Sequence, residues 1–159
     1  MCALCQGLGL LPQLEGQWKA DGKRMIHDYT MTAREARAGA EANERSSAFR
    51  LAQLLGLGLG CPQDYEQAVR WYRVAAELGH PQAQSNLGFM YGTGRGVPQD
   101  YVRAYAWYNL AAASGEDTAR RNRDAVVQRM SPRQLERAQD LSSELFEAVE
   151  SAAVAPRRA

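Results

Sequence analysis

From Ser47 to Leu55 the apolar residues Ala48, Leu51, Ala52 and Leu55 recur three and four positions apart, which puts them on one face of a helix. The pattern breaks at the connection GLGLGCP and resumes with Tyr65, Ala68, Tyr72 and Ala75, a second helical face widened by Trp71. The same events then recur. Ala83, Leu87 and Tyr91 line one helix, GTGRGVP follows, and Tyr101, Ala104, Tyr108 and Ala111 line the next, widened by Trp107. Alternate glycines in both connections permit positive φ, so each pair of helices turns back on itself. Asp64 and Asp100 stand where N-caps are needed, with Gln67 three residues after Asp64 in the manner of a capping box. Gly79 and Gly115 end the second helices as left-handed C-caps. Gly88, inside a helix, costs up to about 1 kcal/mol relative to Ala and predicts a helix crossing closely there.

Laid over each other, residues 56–79 and 92–115 match with a period of 36. Glycines, caps and core positions recur while charges drift, as in a stacked repeat whose neighbours supply each other's core. Upstream, TAREARAGAEAN has helix propensity and ends at Asn43, one period before Gly79, like the second helix of a decayed repeat. Downstream, a third unit keeps Ala119, Val126 and Met130 but sets Arg123 and Asp124 where Leu87 and Gly88 stood, so the repeat decays there. Ser131-Pro132-Arg133-Gln134 starts a closing helix with Leu135, Ala138, Leu141, Leu145, Phe146 and Val149 on its apolar side. The predicted organisation is an irregular extension over 1–30, a degenerate helix over 31–45, and a repeat domain over 46–150. Within that domain the repeats cover about 46–82 and 83–118, closing helices cover 119–150, and a frayed tail covers 151–159.

Composition narrows the function classes. With 19 basic and 18 acidic side chains the net charge is +1, so no whole-molecule field draws the chain to nucleic acid or membrane. No apolar run reaches the ~18 residues a bilayer span requires. The start, MCALCQGLGLLPQ, lacks a basic residue before its apolar stretch and a small-residue cleavage site, which argues against a secretory leader. Three cysteines cannot make an even disulfide framework and point to a reducing compartment, with the cytoplasm as the expected location.

The run LGFMYGTGRGVPQDYVRAYAWYNLAAASG closely resembles the Sel-one-like repeat family, a branch of the tetratricopeptide-type solenoids. The resemblance covers about residues 46–118, with glycine loop, PxDY cap, AxxWY core and AAxxG stop in order, and ARRNRDAVVQRMSPRQLERAQ looks like the closing segment of bacterial members. It implies an all-α, right-handed solenoid of antiparallel helix pairs with a C-terminal capping helix. It also implies an adaptor role in which a concave surface holds a protein or peptide. By that correspondence Phe49, Gln53, Ser85, Phe89 and Thr93 face the groove, with Arg121 and Gln128 following by period.

Other candidates have plainer explanations. Cys2 and Cys5 form a CxxC without the further ligands a metal site needs, and Cys61, in the place of Val97, reads as a small apolar plug. His80, just past the Gly79 stop, reads as a cation at a helix C-terminus, and His27 has no discernible partner. GTGRG lacks the ending of a phosphate loop and follows a helix, so its glycines serve the turn. Arg120, Arg121, Arg123, Arg129, Arg133 and Arg137 form either a solvated face partly paired to Asp124 and Glu136 or a site for an acidic partner. No catalytic residue, cofactor or metal is expected. A non-enzymatic protein-binding module is the reading carried forward. A hydrolase, which would need a buried hydrogen-bonded Ser or carboxylate pair, and RNA binding through the arginines stand as alternatives.

Overall fold

The computed structural model describes residues 32–42 and 44–154. The expectations for residues 1–30, including Cys2, Cys5 and His27, lie outside these, as does the end of the tail. Among the described residues there are seven helices and no strand: α1 (residues 32–41), α2 (Arg45–Leu57), α3 (Tyr65–Glu77), α4 (Pro81–Thr93), α5 (Tyr101–Ala113), α6 (Asp117–Val127) and α7 (Pro132–Val154). The starts of α2, α4 and α6 are one 36-residue period apart, as are those of α3 and α5. The chain is an all-α solenoid in which α2/α3 and α4/α5 are the two full helix pairs.

Each hairpin is closed by residues that recur. The N–H of Asp64 donates to Leu55 O (2.9 Å) and that of Asp100 to Tyr91 O (2.9 Å), tying the start of the second helix to the end of the first. The side chains of Gln63 and Gln99 donate to the carbonyls of Gly56 and Gly92, both at 2.8 Å. Asp64 and Asp100 cap α3 and α5 by accepting from the N–H groups of Gln67 (2.9 Å) and Arg103 (3.0 Å). The expected capping box is altered. The Asp64 N–H is already engaged by Leu55, so the Gln67 amide turns to the Asp64 carboxylate instead (2.8 Å). At the other end, Gly79 and Gly115 take φ of 79° and 92°. The following residues, His80 and Glu116, then donate back to Ala75 O (2.9 Å) and Ala111 O (3.1 Å), the Schellman arrangement.

Stacking is set by small residues. A Cβ on Gly88 would lie 2.9 Å from Tyr108 Cδ1, so α4 and α5 cross at a distance only glycine allows without adjustment. The equivalent positions one period earlier are Ala52 and Tyr72, both buried. Each of these tyrosines also reaches forward: the Asn86 amide acts on the Tyr72 hydroxyl and that of Asn122 on Tyr108, favouring the ionised phenol against burial, again one period apart. At Gly96 (φ 70°) a side chain would run into the carbonyl of Tyr65, so the second glycine loop lies directly on the start of α3. Gln84 is buried at 3% exposure, and its amide donates to Ala76 O at 3.1 Å, joining α4 to the end of α3.

At the ends the structure adds detail and in places departs from the sequence expectations. α1, read as the second helix of a decayed repeat, gives Ala33, Ala36 and Ala40 to the same core as α2. In the third unit Arg123 does not merely mark decay. Its Nη1 donates to Asn109 Oδ1 (2.9 Å) while Asn109 Nδ2 donates to Ser142 Oγ (2.9 Å), so a polar clasp joins α5, α6 and α7 where the earlier unit uses Leu87. The inward face of α7 carries Leu135, Ala138, Ser142, Leu145 and Val149. Phe146, expected on that face, is 46% exposed because it lies about 100° around the helix from Leu145. The helix also continues to Val154, through the start of the expected tail. α5, packed by α4, α6 and α7, buries seven residues including Trp107.

Gly88→Ala is expected to destabilise the fold by about 1–2 kcal/mol in chemical denaturation, the overpacking at Tyr108 outweighing the ~1 kcal/mol gain in helix propensity. A stabilised variant would mean that α4 and α5 separate freely. Asn109→Ala is expected to cost about 1–3 kcal/mol, since it leaves both Arg123 and Ser142 without their inward partner. Ser142→Ala in the Asn109→Ala background should then add little, a coupling readable in a double-mutant cycle.

Candidate interaction surface

The repeat geometry puts Phe49 and Gln53 on α2 at the positions that Ser85 and Phe89 occupy on α4, one period later, with Arg121 following Ser85 on α6. Gln53 and Ser85 are half-buried, and Phe89 is 40% exposed. Thr93 continues the same line of α4, and its hydroxyl donates to Phe89 O at 2.7 Å. Arg121 is exposed and donates to Thr118 Oγ1 (3.4 Å). Gln128 stands apart, as the exposed C-cap of α6 and the period-mate of Gly92, not of a groove position. Phe49 differs from Phe89 in being half-buried: its ring is stacked on His80 at 4.3 Å and tilted against Tyr72 at 6.0 Å.

That stack revises the part given to His80. The residue is not a cation at the end of α3 but the N-cap of α4, its Nδ1 accepting from the Ala83 N–H at 3.4 Å. An accepting imidazole nitrogen must be unprotonated, and the positive end of a helix dipole favours that state. Burial, followed by the nearby Arg45, lowers the His80 pKa from 6.5, with Glu116 opposing. Cys61 is packed at the core edge as expected, its thiol pKa raised by burial, and it donates to Leu59 O at 3.6 Å.

The arginines resolve individually. Arg120 pairs with Asp117 (3.3 Å), and Arg123 pairs with Asp124 (3.0 Å) besides holding Asn109. Arg129 donates to the Tyr101 hydroxyl (3.4 Å). Asp124 is a partner as expected, while Glu136 forms no ion pair among the described residues. Several contributors escaped the sequence pattern. Asn86 and Asn122 recur at the period and would emerge from extending the repeat comparison past Gly115. Arg95, with its guanidinium over Phe89 and Tyr65, replaces Leu59 inside the glycine loop, and that isolated charge was its only signal. Among the described residues no group of His, Cys, Asp and Glu side chains is arranged to hold a metal ion, and no helix is long and apolar enough to cross a membrane.

With helix pairs, loops and caps in place, the repeats can be named: residues 45–80 and 81–116 each match the Sel1 repeat, so the chain carries two Sel1 repeats. Among solved structures it is similar to c5321, a protective antigen of uropathogenic Escherichia coli strains displaying an SLR fold. That similarity has 31% identity and a TM-score of 0.72 over 80% of this chain and 29% of the other. It is also similar to a Sel1 repeat protein from Oxalobacter formigenes, at 28% identity and TM-score 0.59, over 73% of this chain and 49% of that one. The chain thus spans less than half the length of either structure. Among curated proteins none matches the sequence. Sel1 repeats commonly mediate protein–protein interaction.

Because the folded chain binds a proton at His80 less readily than the unfolded chain does, His80 contributes stability that is present above pH 6.5 and lost as pH falls through the lowered folded value. Thermal melts should therefore show a drop between pH 7.5 and pH 5 that shrinks in His80→Asn, which keeps an N-cap without titrating. An identical pH profile in the variant would show that His80 is not held neutral.

Proposed function

We propose that the chain is a non-enzymatic interaction module that holds a protein or peptide segment along the face formed by α2, α4 and α6. The observation that carries this reading is the contrast between α2 and α4: packing positions such as Leu51/Leu87, Ala52/Gly88 and Leu54/Met90 stay the same or similar, whereas Phe49/Ser85 and Gln53/Phe89 differ, with Arg121 different again on α6. Residues serving the stack are constrained by it, so variation concentrates where a ligand would be read. The polar groups closest to a chemical reading serve the structure. His80 caps α4, Ser142 is held by Asn109, and the Gln84 amide nitrogen is held by Ala76 O, although its Oε1 is buried without a partner. Two of the arginines on which RNA binding would rest are paired to Asp117 and Asp124.

Phe49 also packs on the His80 and Tyr72 rings, so the test leaves it in place and uses Gln53, Ser85 and the exposed Phe89. A Gln53→Ala, Ser85→Ala, Phe89→Ala variant is compared with the parent in affinity capture from the native organism, and any partner is then purified and titrated against both. Loss of binding with a melting temperature changed by only a few degrees is expected, because interface truncation removes contact area without touching the core. Undiminished binding would move the site to the α3, α5 and α7 side.

A further inference from the structure

Arg95 sits between two glycines of GTGRG, and its period-mate is Leu59. Its guanidinium carbon is 5.4 Å from the centroid of Phe89 on α4 and 5.9 Å from that of Tyr65 at the start of α3. Both supports are themselves fixed. The Tyr65 hydroxyl accepts from Gln63 Nε2 at 3.0 Å, and Gly96 holds the loop against the Tyr65 carbonyl. A guanidinium lying over rings is held in place by their π-faces while its N–H donors stay in the plane, aimed along its edge. Among the described residues no carboxylate pairs with Arg95, whereas Arg103, Arg120 and Arg123 each have an aspartate. The loop is no phosphate cradle, because the N–H groups of Gly94 and Arg95 are both engaged by Met90 O, at 2.9 and 3.1 Å. What is left to offer is a positioned planar fork, which suits the two oxygens of a carboxylate, beside the exposed surface of Phe89.

We infer that Tyr65, Arg95 and Phe89 form a subsite for an Asp or Glu side chain of a bound peptide, with Phe89 covered by a neighbouring apolar residue of that peptide. This rests on the proposed peptide-binding reading and assigns its specificity at one point. Holding the guanidinium in advance removes much of the entropy cost of fixing a long side chain on binding.

The test pans a random linear peptide library displayed on phage against the full chain, then titrates fluorophore-labelled consensus peptides by anisotropy. Enrichment of Asp or Glu next to a large apolar residue is expected. Arg95→Ala should weaken those peptides roughly tenfold or more, and Arg95→Lys should recover only part, since an ammonium cannot form the fork. Replacing the peptide's Asp or Glu by Asn or Gln should cost the parent the same factor but cost Arg95→Ala little. Circular dichroism melts check that Arg95→Ala, an exposed change, folds as the parent does. Peptides without acidic enrichment, or indifferent to Arg95→Ala, overturn the inference. If those peptides still depend on Gln53 and Ser85, the groove reading survives without it, whereas selection of no peptide overturns both. A phosphoserine version binding tenfold tighter than the Asp or Glu consensus would replace carboxylate by phosphate as the ligand.

Discussion

The contact between Gly88 and the Tyr108 ring sets the spacing on which the rest of the array depends. Two helices can come this close only if one presents no side chain at the crossing, and the tyrosine then fills the space with a ring instead of a void. Burial raises the Tyr108 pKa to about 12, while its hydroxyl still finds Asn122 on α6. One side chain thus fixes the α4–α5 crossing and the next helix together. One period earlier Tyr72, buried like Ala52, reaches Asn86 on α4 in the same way, so the link to the next helix recurs although Ala52 carries a Cβ where Gly88 has none.

The ends of the array are handled by different chemistry. Upstream, α1 offers only Ala33, Ala36 and Ala40 to the core, and it lies so near α2 that a Cβ on Gly39 would strike Ser47. Downstream, the apolar contact of Leu87 gives way to Arg123, Asn109 and Ser142. A hydrogen-bonded clasp demands particular partners, so it fixes the seating of α7 more narrowly than apolar packing would. A closing helix can then present an outward face rich in Glu136, Asp140, Glu144, Glu147 and Glu150 to water.

Function enters where the architecture leaves positions free. The loop glycines are needed by the turns, whereas the residue between them changes: the same slot holds Leu59, packed against the core, in one copy and the exposed Arg95 in the other. On the proposed reading, a stacked repeat in this way separates the residues that fold it from those that read a ligand, and a partner can be changed without endangering the core.

Much of this was determined by the sequence alone. The helix pairs, their caps at Asp64 and Asp100, the left-handed stops at Gly79 and Gly115, and the close crossing at Gly88 follow from local periodicity and backbone chemistry, which neighbouring residues carry in their order. Among the proposed groove positions the sequence supplied the line of residues but not their exposure. Only the folded chain distinguishes Phe89, open to solvent, from Phe49, stacked on His80. Tertiary structure alone likewise put Ser142 and not Leu141 or Phe146 against α5, and brought Arg95 over Tyr65. Each of these depends on contacts between residues far apart in the chain or on the rotation of one helix against another, and neither is encoded in the spacing of nearby residues.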